Sequence, residues 1–214
     1  MDDSLRSAIW WVLPIVAALW LQGPALGDAL KKWKIPIYGF VGGEATAEGG
    51  DMIWAGRKTL LVGRSFRTNA AGIDALKTLL KPLDVEVRDF DLPYWSGPGD
   101  VLHLMSFISL LDQDLAVVYR PLMPVGLFED LKARGVELID IPEKEFPTQG
   151  CNILALAPRK LVMLEGNPIT KARLEKAGCT VLEFRGQEIA FKGSGGPTCL
   201  TRPLLRAESA KERS

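Results

Sequence analysis

The sequence predicts an α/β fold in which one strand–strand–helix–strand unit is repeated, and three observations support this prediction. Three segments share the same order of apolar strands, turns and an amphipathic helix, with a spacing of about 45 residues. Each helix ends near a proline or a glycine, at Pro82, Gly135 and Gly178. Each unit then closes with a strand that is apolar or alternating. Because one such unit cannot bury both of its faces, the units must stack or close into an array.

The elements are predicted from hydrophobic periodicity, turn residues and helix ends along the chain. Ahead of the units we expect a helix over residues 25–34 and a strand over 36–41, and after them a strand with a glycine loop within 189–205. The units are predicted as strands 51–54 and 59–62, helix 69–80 and strand 85–90; strands 101–110 and 115–119, helix 125–134 and strand 136–141; and strands 152–156 and 160–164, helix 170–177 and strand 180–184.

The composition is that of an ordinary globular protein. The chain has 214 residues, of which 47% are hydrophobic and 24% charged, enough for one substantial core or one domain of repeats. Its 26 basic and 26 acidic residues balance. A neutral chain has no basic field for nucleic acid and no polybasic patch for a membrane surface, so we expect no nucleic-acid partner.

The cysteine and histidine content argues against disulfides and metals. Three cysteines, Cys151, Cys179 and Cys199, are an odd number without paired spacing. This favours a reducing compartment, and we predict a cytoplasmic protein. One histidine and the lack of a CxxC motif leave too few ligands for zinc. We therefore expect no metal and no cofactor.

The N-terminal stretch does not fit the repeated pattern. Residues 8–21 are nearly all apolar, yet they are shorter than the roughly twenty residues that span a membrane. The stretch has the length of a signal-peptide core, but two acids and one base precede it and Pro14 interrupts it. Three interpretations stay open: a buried helix or strand pair, a misread N-terminus, or an export or anchor signal. Membrane association is therefore left open.

A cysteine follows directly on a glycine loop near the end of the chain. The segment reads Gly193-Ser-Gly-Gly-Pro-Thr-Cys199, and glycines let a backbone approach a ligand closely. The single histidine, His103, lies far upstream. Cys199 and His103 are a candidate nucleophile and acid/base couple if the fold brings them together. The alternative is that Cys199 is a small buried hydrophobic residue, as most free cysteines are.

The repeat adds acidic and basic candidates. Glu48, His103 and Cys199 lie at similar positions in successive units and could face one cavity. A thiol beside carboxylates such as Glu48 and Asp51 suits a guanidinium, which presents N–H groups to carboxylates. Arg67 opens the first helix and could bind a substrate carboxylate. The alternative for Arg67 is a solvated arginine at a helix start.

Four motifs occur in order along the chain: Ala47-Glu-Gly-Gly-Asp51, Gly63-Arg-Ser-Phe-Arg-Thr-Asn69, Leu102-His-Leu-Met-Ser106 and Gly195-Gly-Pro-Thr-Cys-Leu200. Together they resemble the guanidino-group-modifying superfamily, which includes dimethylarginine dimethylaminohydrolases, arginine deiminases and amidinotransferases. The resemblance covers about residues 25–206 and implies the pentein fold, a five-bladed α/β propeller. We therefore expect a pentein-like catalytic domain over 25–206, between an atypical segment over 1–24 and a polar tail over 207–214.

The resemblance also implies roles for individual residues. Cys199 is similar to the nucleophile that forms a covalent intermediate, and His103 to the acid/base that protonates the leaving amine and activates water. Glu48 is similar to the carboxylate that orients the histidine or the guanidinium. Arg67 is similar to the arginine that binds the substrate α-carboxylate. We also expect Asp51 and Asn69, which close two of the motifs, to take part in substrate binding.

Two departures from the family pattern affect the functional prediction. Met105 stands where deiminases carry an acid, whereas the Gly-Gly-Pro-x-Cys loop is closer to deiminases. A Phe-x-x-Asp segment is lacking before Glu48, so we expect an incomplete propeller.

We predict a hydrolase of the guanidino C–N bond of arginine or methylated arginine, giving citrulline and an amine or ammonia. The alternatives are a non-catalytic truncated scaffold and an amidinotransferase. Exposed strand edges make a homodimer possible.

Overall fold

The computed structural model describes residues 23–201, with side chains described from residue 26. These residues form two compact units. The first unit contains residues 23–91 and 96–102, and the second contains residues 92–95 and 103–201. One copy of the repeated motif lies in the first unit, and the other two copies lie in the second.

The predicted repeat is present in each copy as two strands, a helix and a third strand. A helix α1 (Gly23–Lys32) precedes the copies. The first copy consists of β1 (Met52–Trp54), β2 (Thr59–Arg64), α2 (Ala70–Leu80) and β3 (Glu86–Asp91). The second consists of β4 (Ile108–Asp112), β5 (Leu115–Val118), α3 (Val125–Ala133) and β6 (Glu137–Asp140). The third consists of β7 (Leu154–Ala157), β8 (Lys160–Leu164), α4 (Pro168–Lys176) and β9 (Thr180–Phe184).

Each copy forms its own three-stranded mixed sheet with the same topology. The middle strand pairs antiparallel with the first strand and parallel with the last, in the orders β1-β2-β3, β4-β5-β6 and β7-β8-β9. A parallel pair needs a crossover, and the helix of each copy supplies it. The middle strands β2 and β5 are almost wholly buried, which explains why they read as continuous apolar runs.

The core of the first unit forms between its sheet and α2. Asn69 caps this helix, because its Oδ1 accepts a hydrogen bond from the Gly72 N–H at 2.8 Å. The helix buries one apolar stripe against the sheet. The buried core residues are Met52, Leu60, Val62, Ile73, Leu76, Leu80, Leu83 and Val85.

Polar contacts join the two copies of the second unit. Ser109 on β4 is buried and donates its hydroxyl to the carbonyl of Cys151, ahead of β7, at 2.6 Å. Arg159, in the turn before β8, donates to the carboxylates of Asp112 and Asp114 at 3.1 and 2.8 Å. The same guanidinium donates to the Ala177 carbonyl at 2.8 Å. These bonds fix the β4–β5 turn against the third copy.

Three predicted strand positions are wrong. Residues 36–41 form no strand; Tyr38 and Val41 instead pack against the core of the first unit. The predicted strand 101–110 begins only at Ile108, because a 3-10 turn, Leu104–Ser106, comes first. No strand occurs among the described residues of 189–205. A π-helical turn, Gln187–Phe191, lies there and places Ala190 in the interior.

The predictions for residues 8–21 and for the tail 207–214 lie outside the described residues, and the domain boundaries stay predictions. Across residues 23–201, no helix is both long and apolar enough to cross a membrane. In the same range, histidine, cysteine and acidic side chains form no group of three or more that could hold a metal ion.

Candidate active site

A tight turn precedes the first strand of every copy, and the candidates Glu48, Asp51 and His103 lie on these turns. In each turn, a backbone N–H donates to the carbonyl three residues earlier. These bonds run from Asp51 to Glu48 at 3.0 Å, from Ser106 to His103 at 3.0 Å, and from Asn152 to Gln149 at 2.9 Å. Glu48 and His103 therefore occupy equivalent positions, as the repeat predicted, whereas Cys199 lies in the glycine loop after the third copy. The third copy carries Gln149 at this position.

In the first unit, Glu48 and Arg67 form an ion pair. The Arg67 Nε donates to Glu48 Oε1 at 2.7 Å, and Nη2 lies 2.5 Å from the same oxygen. The Glu48 side chain is 13% exposed, whereas that of Arg67 is 44% exposed. The hydrogen bond to Glu48 raises the pKa of Arg67 above its ordinary value, so the guanidinium stays charged. The pair places an anionic and a cationic group side by side.

Asp51 holds the segment that carries Arg67. Its carboxylate is fully buried, and Oδ2 accepts hydrogen bonds from Ser65 Oγ at 2.6 Å and Thr68 Oγ1 at 2.7 Å. The Thr68 hydroxyl in turn accepts the Glu48 N–H at 3.0 Å. Asp51 thus fixes both the Glu48 turn and the Arg67 segment. Direct contact between Asp51 and a substrate stays a prediction.

Asn69 uses its amide to cap α2 and to hold the chain ahead of the site. Besides the cap, Oδ1 accepts the Thr46 N–H at 3.0 Å, and Nδ2 donates to the Glu44 carbonyl at 2.8 Å. Gly72 allows this close approach, because a Cβ at position 72 would lie 1.9 Å from the Thr46 carbonyl oxygen. Substrate binding by Asn69 stays a prediction.

In the second unit, His103 begins the 3-10 turn Leu104–Ser106. Its backbone N–H donates to Ser106 Oγ at 3.0 Å, and its imidazole accepts the backbone N–H of Ser106. The capping box therefore orients the imidazole at the start of the turn, which is the preparation that a general acid/base needs.

Cys199 is exposed at the end of the glycine loop, and Asn152 donates to it. The distance from Asn152 Nδ2 to Cys199 Sγ is 3.2 Å. The other two cysteines, Cys151 and Cys179, are buried, and burial raises the pKa of both thiols. A thiol reacts as its thiolate, so the accessible Cys199 is the best candidate nucleophile of the three.

Sequence reasoning missed Asn152. Its Oδ1 accepts hydrogen bonds from the Thr198 N–H at 2.9 Å and the Thr198 hydroxyl at 2.7 Å, so it ties the glycine loop to the turn before β7. The repeat contained the necessary signal, because Asn152 occupies the turn position equivalent to Asp51. Only the contact with Cys199 reveals its relevance.

The structure groups the predicted residues into two sets. Glu48, Asp51, Arg67 and Asn69 lie on two adjoining segments of the first unit. His103 and Cys199 both lie in the second unit. The hydrogen bonds described here join Cys199 to Asn152 and His103 to Ser106. The pairing of Cys199 with His103 therefore stays a prediction.

Comparison with known proteins gives one family match and a consistent set of relatives. A family model described as arginine deiminase matches residues 29–136 and 127–206. An arginine deiminase from Mycobacterium marinum is 31% identical over 191 residues, which cover 76% of this chain and 47% of that protein. The chain thus spans about half the length of the curated relatives that it matches.

Solved structures show the same fold. Dimethylarginine dimethylaminohydrolase from Pseudomonas aeruginosa, complexed with citrulline, aligns with a TM-score of 0.67 at 20% identity, over 82% of this chain and 64% of that chain. The N-terminal domain of ArgZ, an arginine dihydrolase of cyanobacteria solved with a covalently bound reaction intermediate, aligns with a TM-score of 0.72 at 20% identity, over 86% and 66%. These alignments confirm the predicted pentein fold.

Proposed function

This chain belongs to the arginine deiminase family, and on that premise we propose that it hydrolyses the guanidino C–N bond of arginine or a methylated arginine. The products are citrulline and ammonia or an amine. One observation carries the proposal: the exposed thiol of Cys199 ends a glycine loop and receives an amide hydrogen bond. This loop lies within the segment 127–206 that matches the family model.

The reaction proceeds in two displacements at Cys199. The thiolate attacks the guanidinium carbon, a C–S bond forms, and His103 gives a proton to the leaving nitrogen as the C–N bond breaks. His103 then takes a proton from water, and the resulting hydroxide attacks the same carbon. The C–S bond breaks to release the thiolate, and the new hydroxyl loses its proton to solvent to give the ureido product. The covalent intermediate bound to the ArgZ domain supports this route.

Glu48 and Arg67 supply the charges that such a substrate needs. A carboxylate at Glu48 keeps the guanidinium protonated, and a protonated guanidinium has a more electrophilic carbon. Arg67 binds the α-carboxylate, which favours an amino acid over agmatine. Their ion pair supports these roles, because each group already holds a partner of the chemical kind that the substrate would bring.

The identity of the leaving group depends on residues near His103. Met105 replaces the acid that deiminases carry two residues after the histidine. A thioether does not bind a second guanidinium nitrogen as a carboxylate does, so we propose a methylated arginine as a substrate alongside arginine. We place the reaction in the cytoplasm, since a reactive thiol persists in a reducing compartment.

The test is incubation with arginine and with asymmetric dimethylarginine, followed by measurement of citrulline, ammonia and dimethylamine. We expect citrulline from the wild-type protein and none from Cys199→Ser. Cys179→Ser, which changes a buried cysteine, is the matched control and should keep its activity. Intact-protein mass after treatment with 2-chloroacetamidine should show one adduct at Cys199, formed more slowly in His103→Ala.

Three outcomes would contradict the proposal. Product that appears only with an added acceptor amine indicates an amidinotransferase. Absence of product and of an adduct indicates a non-catalytic scaffold. Equal labelling of Cys151, Cys179 and Cys199 shows that Cys199 has no special reactivity.

A further inference from the structure

We propose that Asn152 is a positioning residue that holds the Cys199 sulfur as a thiolate ready to attack. Its Nδ2 donates to the sulfur, and its Oδ1 fixes the loop that carries the cysteine. This inference rests on the proposed role of Cys199 as nucleophile and adds the residue that prepares it. Asn152 acts through Cys199 and is not itself a catalytic residue.

The orientation of the Asn152 amide follows from its partners. The Thr198 backbone N–H lies 2.9 Å from one end of the amide, and a backbone N–H can only donate. That end must therefore be the oxygen, which also accepts the Thr198 hydroxyl at 2.7 Å. The NH₂ end must face Cys199 Sγ, 3.2 Å away. A thiolate accepts such a hydrogen bond more strongly than a thiol does, so the donor faces the sulfur where its attacking form would need it.

The glycine loop is shaped to pack directly on Asn152. A Cβ at Gly196 would lie 2.4 Å from Asn152 Cγ and 2.6 Å from its Oδ1, so any larger residue would displace the amide. A Cβ at Gly195 would lie 3.2 Å from Cys199 Cβ. Asn152 itself is only 7% exposed, and its N–H is bonded to Gln149. The donor is therefore held in place before any substrate arrives.

Asp51, Ser106 and Asn152 occupy the same position in the turns that precede the first strands of the three copies. In each copy the residue at this position supports a candidate site residue. Asp51 holds the Arg67 segment through two hydroxyls, and Ser106 holds the His103 ring and backbone. Asn152 has the same relation to Cys199. The residue at this turn position thus has the same structural role in each copy. Its type differs because it supports an arginine segment in the first copy, a histidine in the second and a cysteine in the third. Only the third copy supports a sulfur, and only there does the side chain of this residue supply an N–H donor.

The substitution Asn152→Asp separates the donor from the rest of the contact. Aspartate has nearly the same shape and keeps an oxygen for the Thr198 N–H and hydroxyl. It replaces the NH₂ donor by a second acceptor that carries negative charge, and a negative charge beside the sulfur disfavours the thiolate. Asn152→Asp should therefore change the protonation of Cys199 more than the packing of the loop.

The experiment measures the rate of Cys199 alkylation by iodoacetamide against pH, using intact-protein mass on the full chain. Iodoacetamide is uncharged and needs no guanidino pocket, so it reports the thiolate alone. In Asn152→Asp we expect the midpoint of the pH–rate profile to rise by about one unit and the rate at neutral pH to fall about tenfold. Because substrate is absent, this result is independent of whether the protein turns over arginine.

Asn167→Asp is the matched control. Asn167 is also buried in the second unit, with Nδ2 donating to the Thr148 and Leu164 carbonyls and Oδ1 accepting the Thr148 hydroxyl. Its substitution removes a comparable set of bonds, and its partners do not include the thiol. We expect its alkylation midpoint to equal that of the wild type, even where its thermal stability falls as much as in Asn152→Asp.

An unchanged midpoint in folded Asn152→Asp overturns the proposal, as does an equal shift in Asn167→Asp. Circular dichroism shows whether Asn152→Asp is folded. If it is unfolded, Thr198→Val decides, because it removes the hydroxyl that helps to fix the amide and leaves Asn152 in place. A smaller upward shift is then expected, and no shift overturns the proposal. A shifted midpoint without any turnover of arginine or dimethylarginine would leave this inference standing and reject only the proposed reaction.

Discussion

Arg67 and Glu48 form an ion pair that links two segments, and the proposed function gives each of them a second role. Their ion pair joins the loop before α2 to the turn before β1. Asp51 holds both segments from inside the unit through Ser65 and Thr68. The buried Asp51 carboxylate fixes the backbone of this loop. The Arg67 guanidinium can therefore bind a substrate carboxylate in place of Glu48 without a change in the loop conformation. Its half-exposed position permits this exchange.

The substitution Arg67→Ala should weaken the binding of arginine much more than the binding of agmatine, because agmatine lacks the α-carboxylate. A charge-assisted hydrogen bond is worth about 1.5–3 kcal/mol, so we expect KM for arginine to rise about tenfold or more. The kinetics of agmatine should stay near their wild-type values. Arg64→Ala is the matched control, because Arg64 lies close in sequence but pairs with Asp91 on β3. Equal losses for both substrates would contradict this role of Arg67.

The sequence predicted the equivalence of two turn positions, but it did not show which contacts each side chain makes. Glu48 and His103 were predicted at equivalent places in the repeat, and the turns confirm this equivalence. Asn69 was predicted to bind substrate, and its side-chain amide forms hydrogen bonds with Gly72, Thr46 and Glu44. Hydrogen-bond partners distant in sequence leave no local pattern, and this is also why Asn152 was missed.

Helix α4 depends on a buried carboxylate from outside the helix. Glu145 is 3% exposed and accepts the N–H groups of Ile169 and Thr170 at 2.9 and 2.8 Å, and the Thr170 hydroxyl at 2.6 Å. Burial raises the pKa of Glu145, but the hydrogen bonds from Thr170 and Ile169 outweigh burial and hold that pKa below its usual range. A negative charge at a helix N-terminus is also favourable.

Glu145→Gln should lower the free energy of unfolding at neutral pH by about 1–3 kcal/mol. Since the folded-state pKa of Glu145 is depressed, its contribution is present above the ordinary glutamate pKa and is lost as pH falls through the lower folded value. The difference between wild type and variant should therefore shrink in acid. Urea denaturation at neutral and acidic pH measures it, with exposed Glu143→Gln as the control. A difference that is constant with pH would show that the charge is not the cause.

At the level of elements, the local sequence pattern was sufficient for two strands of the third copy. The bounds of β8 and β9 were predicted without error. The predictions failed at the segments between units. Residues 36–41 have strand-like composition but no strand partner, and Gln187–Phe191 closes a π-turn in which the Phe191 N–H donates to the Gly186 carbonyl. The conformation of such segments depends on hydrogen-bond partners that the sequence does not show.

Across the whole molecule, the outer strands differ in how they oppose pairing with another chain. Strand β3 carries Arg88, Asp89 and Asp91, and charged residues on an edge strand disfavour edge-to-edge association. Strand β9 is also the last strand of its sheet, but it exposes Leu182, 46% of which is accessible. Of these two edge strands, β9 is therefore the better candidate for the contact surface of the predicted homodimer.

Leu182→Lys should abolish association if copies of this chain pair through β9. A lysine in the middle of an edge strand places two like charges near each other across an antiparallel strand pair, which is unfavourable. Light scattering coupled to size exclusion, run over a range of protein concentrations, should give twice the chain mass for the wild type and the single-chain mass for the variant. Val125→Lys makes a similar apolar-to-lysine change at an exposed residue that begins α3 and lies on no strand, and it should remain dimeric.

A wild type that is monomeric at every concentration rejects the homodimer, whereas a dimeric Leu182→Lys moves the contact away from β9. Because β9 is not part of the candidate site, alkylation of Cys199 should be the same in monomeric Leu182→Lys as in the wild type.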